Sequence, residues 1–574
     1  MPTFQRLARF LTLLAGLPLA ASAADSKASF SPPTLRATRV EKKKESAAPP
    51  ALNGKSVERI TMREAIEMAM RNNLEVKFDK VGVRIERAKV RFEIGVFDPT
   101  FSINMSRESL RRPQNTSDFS STDQILQAQS IASSNAAIDT TRALNGLPPL
   151  DRPTQTIGIP TTIFDQQNDR FSANLIQRTP WGMRYGLFVE ANRLRNTFSG
   201  DNREITPQYQ TSAQIQVVQP LLKDFGPAAN LANLRVARLN KQIAVLIWKQ
   251  RLMTGLQAVM ANYYDMTFGL ADVGVRQEAI TADELLIAQT ERRLELGFMS
   301  PFDVQQARAQ LSLDQEQLIS AKNLLMERQF ALKRLILDQF NVNDLRIFLP
   351  LAEPPLGVPA LDRSFFLRQA FAHRPDFRQA LTEADSQDIR LRFARNQLLP
   401  QLDLVATYGL NGLKGGYGDS FDQTFAGSAP GWTVGVNLRI PLGNIQARAQ
   451  LDSVKAQKEQ AILKIKQSEL GIGVDVDTVM SRIETNRQRV ETARKTRELY
   501  VEAVRIAYRK LEEGQISSFD IIEQQRRLYD SKSREAAARA ELDKSITQLW
   551  LVTGTMLERL GIQVPEIEKE SGIR

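Results

Sequence analysis

RKLEEGQISSFDI (Arg509–Ile521) repeats an earlier stretch of the same chain, RRLELGFMSPFDV (Arg292–Val304). Both follow the frame R-[RK]-L-E-x-G-x-x-S-x-F-D-[VI], and each separates two long segments of helical apolar period. A Gly just past one helix tolerates the left-handed backbone of a helix stop. A Ser three residues later can accept a backbone N–H at the start of the next helix. Pro301 stands at a first helical position, where a missing N–H costs nothing. Each copy is therefore expected to be the tip of a helical hairpin, at residues 297–303 and 514–520.

The text around the tips is also duplicated. Gln369–Asp376 (QAFAHRPD) aligns with Met68–Glu75 (MAMRNNLE), and Pro400 aligns with Pro99. Both prolines open runs with a period of two. In the first repeat Phe101, Ile103 and Met105 alternate with Ser102, Asn104 and Ser106; in the second Leu402, Leu404, Ala406 and Tyr408 recur at every other position. Pro220 and Pro441 close the returning strands, 212–220 and 432–440. Alternation of this kind predicts strands with one apolar and one polar face. Between Pro99 and Pro220 the first repeat is much longer than its counterpart between Pro400 and Pro441. The excess holds a polar segment, 107–170, expected to be a long surface loop. It also holds two further alternating runs, Phe171–Gln177 and Tyr185–Asn192, separated by Pro180-Trp181-Gly182. The strand count per chain is thus four, or six if this hairpin joins the sheet. Proline-free helices are predicted over 228–300 and 302–340, the former on the order of 100 Å long at 1.5 Å per residue. Thr61 to Glu64 forms a capping box before the first helix.

The predicted organisation follows: a signal peptide over 1–23, a flexible leader over 24–56, a first repeat over 57–344, a second over 345–562, and a tail over 563–574. The N-terminus places Arg6 and Arg9 before a short apolar run and Ala21-Ser22-Ala23, the pattern of a cleaved secretory signal. Cysteine is absent and His373 is the single histidine, which removes disulfides, thiolate chemistry and lipidation at a cysteine, and leaves almost no basis for imidazole metal clusters or Ser-His-Asp catalysis. No cofactor or metal site and no enzyme activity is expected. The net charge of +11 is spread among acidic residues along helices, with no basic-aromatic motif, so no nucleic-acid partner is expected. After the signal no apolar run reaches spanning length, so a membrane could be crossed only by strands. The predicted fold class is mainly α with a transmembrane β part. Four to six strands cannot close a barrel alone, since the smallest have about eight, and closure then calls for several copies.

The two tips and the text after them, Gly297-x-x-Ser300-x-x-Asp303-Val304-Gln305-Gln306 and Gly514-x-x-Ser517-x-x-Asp520-Ile521-Ile522-Glu523, resemble those of TolC-like outer-membrane efflux proteins. The resemblance runs from about residue 57 to 562. It implies a homotrimer with one shared twelve-stranded β-barrel in the outer-membrane lipid and an α-helical tunnel in the periplasm. It further implies a periplasmic adaptor protein at the tips, an inner-membrane transporter behind the adaptor, and passive export as part of an efflux or type I secretion system. Gly297, Ser300, Gly514 and Ser517 then belong to the adaptor-docking tips, and Asp520, Glu523 and Asp303 to an acidic ring at the periplasmic gate. Gln214, Gln216, Thr433, Asn437 and Arg439 are expected to face the barrel lumen if Trp432, Val434 and Val436 face lipid. Where family members lock the second tip with a Tyr and an Arg, this chain has Leu511 and Ile516. The competing readings are a non-channel periplasmic or surface coiled-coil scaffold or adhesin, and a secreted enzyme. The first has no need of repeated apolar/polar strand pairs, and no catalytic constellation supports the second.

Overall fold

The computed structural model describes residues 57–113, 121–148, 150, 163–196, 207–339, 346–351 and 353–564. The signal peptide, the leader and most of the C-terminal tail lie outside the described residues. The chain divides into a sheet unit (94–231 and 395–445) and a helical unit built from the segments before, between and after these.

Within the helical unit, each repeat places two short helices ahead of its sheet strands and a long hairpin after them. The first repeat supplies α1 (Met62–Asn72), α2 (Leu74–Gly95), α4 (Ala232–Glu295) and α5 (Pro301–Ile336), with α3 (Ser121–Leu144) falling in the sheet unit. The second supplies α6 (Arg363–His373), α7 (Pro375–Gln397), α9 (Ile445–Glu512) and α10 (Ser518–Val552), with α8 (Tyr417–Phe425) again in the sheet unit. At 64 and 68 residues, α4 and α9 are each about 100 Å long. Their apolar residues recur along one stripe and bury it against the partner helices. In the first repeat Met253, Leu256 and Met266 of α4 pack with Leu332 and Ile336 of α5 and with α1. In the second Ile472, Val476 and Ile483 of α9 meet Leu542 and Ile546 of α10 and Phe366 of α6. His373 is the exposed last residue of α6, an ordinary helix end.

The two repeats open on strands that pair with each other: β1 (Val57–Ile60) lies parallel to β6 (Ile347–Pro350). Tyr263 of α4, 1% exposed, sets its hydroxyl 3.1 Å from the Ile60 carbonyl and 2.9 Å from the Leu351 carbonyl. Burial comes first among the causes that raise its pKa, so the group stays a neutral donor. No described helix is long and apolar enough to cross a membrane.

The sheet unit contains one antiparallel sheet in the order β2 (Thr100–Pro113), β3 (Ile163–Arg178), β4 (Arg184–Asn196), β5 (Gln208–Pro220), β7 (Gln401–Lys414), β8 (Pro430–Arg439). Among the described residues this sheet therefore has six strands, with the hairpin β3–β4 joined to it. The register aligns Phe101, Leu175, Leu187, Ile215, Tyr408 and Trp432 in one row across all six. The neighbouring row on that face is Ile103, Ala173, Val189, Ala213, Leu410 and Pro430. This apolar face is uncovered over much of its area: Trp432 is 74% and Met105 75% exposed.

The long loop expected over 107–170 is not one. β2 and β3 run on past their apolar stretches, paired through Arg111–Asp165 (2.9 Å) and Arg107–Asp169 (3.5 Å). The intervening segment carries the helix α3. Those strand extensions are held by charges opposite one another, which no single strand reveals. The Ala- and Gln-containing stretch before Gly146 has no proline or glycine to stop a helix.

Replacing Tyr263 by Phe is expected to cost about 1–2 kcal/mol through the lost hydrogen bond to buried carbonyls. The loss would appear as a lower midpoint when the helical circular-dichroism signal is followed against temperature.

Candidate channel site

At each tip the helix stops as the sequence predicts. Gly297 and Gly514 take φ of 80° and 71°, where a side chain would be strained. The N–H of Phe298 donates to the Arg293 carbonyl and that of Gln515 to the Lys510 carbonyl, both at 2.8 Å, the six-to-one bond of a Schellman stop. Ser300 and Ser517 then cap α5 and α10. Each hydroxyl accepts the N–H three residues on, at 3.4 Å, and the aspartate there accepts the serine N–H at 3.0 Å.

Asp303 and Asp520 are thus the reciprocal halves of two capping boxes. The Ser300 N–H first, then the hydroxyls of Ser300 and Ser518, hold the Asp303 carboxyl below the usual range. The Ser517 N–H and hydroxyl do the same for Asp520. Glu523 is engaged differently: Arg527 and Arg526 each approach it at 2.7 Å and keep it ionised. Of these three carboxylates only Glu523 has a cation bound to it among the described ion pairs of the tip; Asp303 and Asp520 are held by serines, and Asp520 is the exposed one.

Two contacts tie the tips together. Ser518 Oγ donates to Asp303 Oδ1 at 3.0 Å, and Arg293 Nη1 donates to the Leu511 carbonyl at 2.7 Å. Between them lies a small apolar core of Leu286, Ala307, Ala507, Leu511, Ile521 and Ile522, with Ile516 packed against it. Leu511 and Ile516 therefore contribute apolar packing. Outside this core Leu296, Phe298 and Phe302 are exposed by 71%, 80% and 73%.

One site the sequence reading missed lies further along the hairpin. Asp283 on α4 and Asp314 on α5 are both buried, 4% and 6% exposed. Burial first, then the neighbouring Asp314, push the Asp283 carboxyl up to about 8. Asp283 Oδ2 has no hydrogen-bond donor among the described residues, an arrangement a proton on Asp283 resolves. Gln310 donates to Asp314 Oδ2 at 2.9 Å. The signal was present: Ala279, Asp283, Leu286 and Thr290 form one buried stripe, and an acid on such a stripe must be paired or protonated.

On the sheet, Gln216, Thr407 and Thr433 share a row on the face opposite Trp432. Gln214 lies two residues along the same face. Asn437 pairs with Asp403 and Arg439 with Gln401, again on that face. The five sequence-predicted polar residues therefore occupy one surface.

Residues 366–555 match the family described as outer membrane efflux protein. The matched stretch lies within the second repeat. Across the chain the fold is TolC-like. The Campylobacter jejuni CmeC outer membrane channel aligns over 94% of this chain and 98% of its own, at 14% identity and a TM-score of 0.57. The open state of the Neisseria gonorrhoeae MtrE outer membrane channel aligns over 92% and 98%, at 14% identity and a TM-score of 0.56. The Vibrio cholerae outer membrane protein VceC aligns over 86% and 96%, at 13% identity and a TM-score of 0.55. No curated protein matches the chain. Family and fold together support an outer-membrane efflux channel.

Asp283 has a raised pKa, so its contribution to stability is complete below its ordinary value of 3.8 and is lost as pH climbs through about 8. Thermal midpoints of the wild type are expected to fall over that window. Asp283→Asn should flatten the fall and make the protein the more stable of the two at the alkaline end.

Proposed function

We propose that three copies assemble into an exit duct. Their sheets would form one barrel in the outer membrane, and their long hairpins a tunnel in the periplasm. The duct would conduct substrates passively from an adaptor and an inner-membrane transporter to the exterior. The observation that carries this reading is the six-strand apolar row from Phe101 to Trp432, uncovered on one face and polar on the other. Lipid is the environment in which such a face is stable, and water that of Gln214, Gln216, Thr433, Asn437 and Arg439 behind it. A coiled-coil scaffold or adhesin would have no use for it.

The turns at Gly297, Ser300, Gly514 and Ser517 set the shape of the docking tips. Leu296, Phe298 and Phe302 beside the first supply the apolar area an adaptor would bury. The start of α10 is the proposed constriction. Three copies would place three Asp520 carboxylates there, with Asp303 in the adjacent tip and Glu523 shared between its two arginines. Such a ring favours cations. Asn keeps an oxygen for the Ser517 cap, so Asp520→Asn removes charge while preserving the turn.

In planar bilayers the purified protein is expected to give discrete current steps with cation preference. Asp520→Asn combined with Glu523→Gln should weaken that preference, or reverse it, because Arg526 and Arg527 lose their partner. Folded protein that gives no steps would favour the scaffold reading. Separately, Phe298→Asp with Phe302→Asp should abolish export in cells while leaving the bilayer current unchanged; full export by this variant would remove the docking assignment.

A further inference from the structure

We infer that the barrel has eighteen strands, wider than a chain of two equal repeats would build, so that its mouth admits polymeric cargo and leaves size selection to the helical unit. This rests on the trimeric duct proposed above. The second repeat gives the sheet two strands, β7 and β8; the first gives it four. Two equal repeats would give four per copy and twelve per trimer. The extra pair, β3 and β4, is not attached at an edge. It lies between β2 and β5, hydrogen-bonded on both sides, so it cannot be left out of the wall without splitting the sheet.

The hairpin is also fastened at its turn, which joins β3 to β4 directly with no helix between them. Gly226 N–H donates to the Trp181 carbonyl at 3.0 Å, and Arg178 Nη2 donates to Asn230 Oδ1 at 2.6 Å. Gly182 comes so close to the Asp224 carbonyl that a Cβ would lie 2.4 Å from it. These bonds anchor the turn to the segment by which β5 leaves the sheet.

Geometry then favours closure by further copies of this chain. Six is an even number, so β8 of one copy runs antiparallel to β2 of the next. Both edges carry the same facing: the apolar row ends at Phe101 and Trp432, the polar row behind it at Thr100 and Thr433. The row that leaves the start of β2 at Thr100 reaches β8 at Thr433, six residues short of the strand's end at Arg439. Six residues of stagger over five strand spacings correspond to a tilt of about 40°, the value membrane barrels require. At that tilt and about 4.8 Å between strands, eighteen strands enclose about 36 Å from backbone to backbone, against about 24 Å for twelve. Barrels of sixteen to eighteen strands leave an open aqueous channel.

The test uses the full protein, whose lack of cysteine makes engineered pairs unambiguous. Cysteines at 433, 435 or 437 on β8 would be combined with cysteines at 102, 104 or 106 on β2, all on the polar face. Oxidation is expected to yield covalent dimers and trimers for at least one combination. The same β8 positions combined with 190 or 192 on β4 should yield none. Single-particle electron microscopy viewed down the barrel should count eighteen strands. A trimer whose wall counts twelve, or one cross-linked from β8 to β4, overturns this inference while leaving the duct intact. Protein that inserts but is not trimeric overturns the duct reading as well.

Discussion

Among the described residues, the outer edges of β2 and β8 pair with no further strand, and the face between them is apolar from Phe101 to Trp432. Water penalises the apolar face and lipid penalises the open edges, because an unpaired backbone group in hydrocarbon costs several kcal/mol. Closure through other copies in a membrane, as proposed above, would satisfy both. Much else in the sheet unit answers to this constraint: the even number of strands, the polar rows behind the apolar ones, and the cross-strand charges that continue β2 and β3 beyond the apolar band.

The helical unit obeys a different rule. Its long helices bury one stripe each, and their chain reversals must satisfy every helix-end group without bulk. Two Schellman stops and two capping boxes do so, and in doing so they recruit Asp303 and Asp520. The same aspartates that invite a gate assignment are therefore also parts of the turn. Ser518 and Arg293 then join the two tips, with Leu511 inside an apolar cluster. Separating the two tips would both break these hydrogen bonds and expose apolar surface.

Much of this was legible in the sequence because it rests on local periods. Gly and Ser at fixed spacing marked both tips, and alternation marked the centres of all six sheet strands. Duplication showed which parts were equivalent. What escaped notice depended on partners far along the chain. The runs read as 171–177 and 185–192 extend to Ile163–Arg178 and Arg184–Asn196, because Asp165 and Asp169 meet arginines on other strands. α3 was hidden in a polar composition that suits loop and helix alike. Arg526 and Arg527, three and four residues after Glu523, were in plain view, yet the acid was read without them. Asp283 acquires its character from Asp314 on the neighbouring helix, a partner that its own helix does not reveal.

The central claim is that the face bearing Trp432 lies in lipid. A variant retaining Trp432 alone, with Trp181, Trp248 and Trp550 replaced by Phe, would be reconstituted in vesicles of brominated phospholipid and its fluorescence compared with that in ordinary lipid. Strong quenching, absent from a variant retaining Trp248 alone in the core of the helical unit, is the expected result. Equal fluorescence in both lipids would contradict a membrane-embedded sheet.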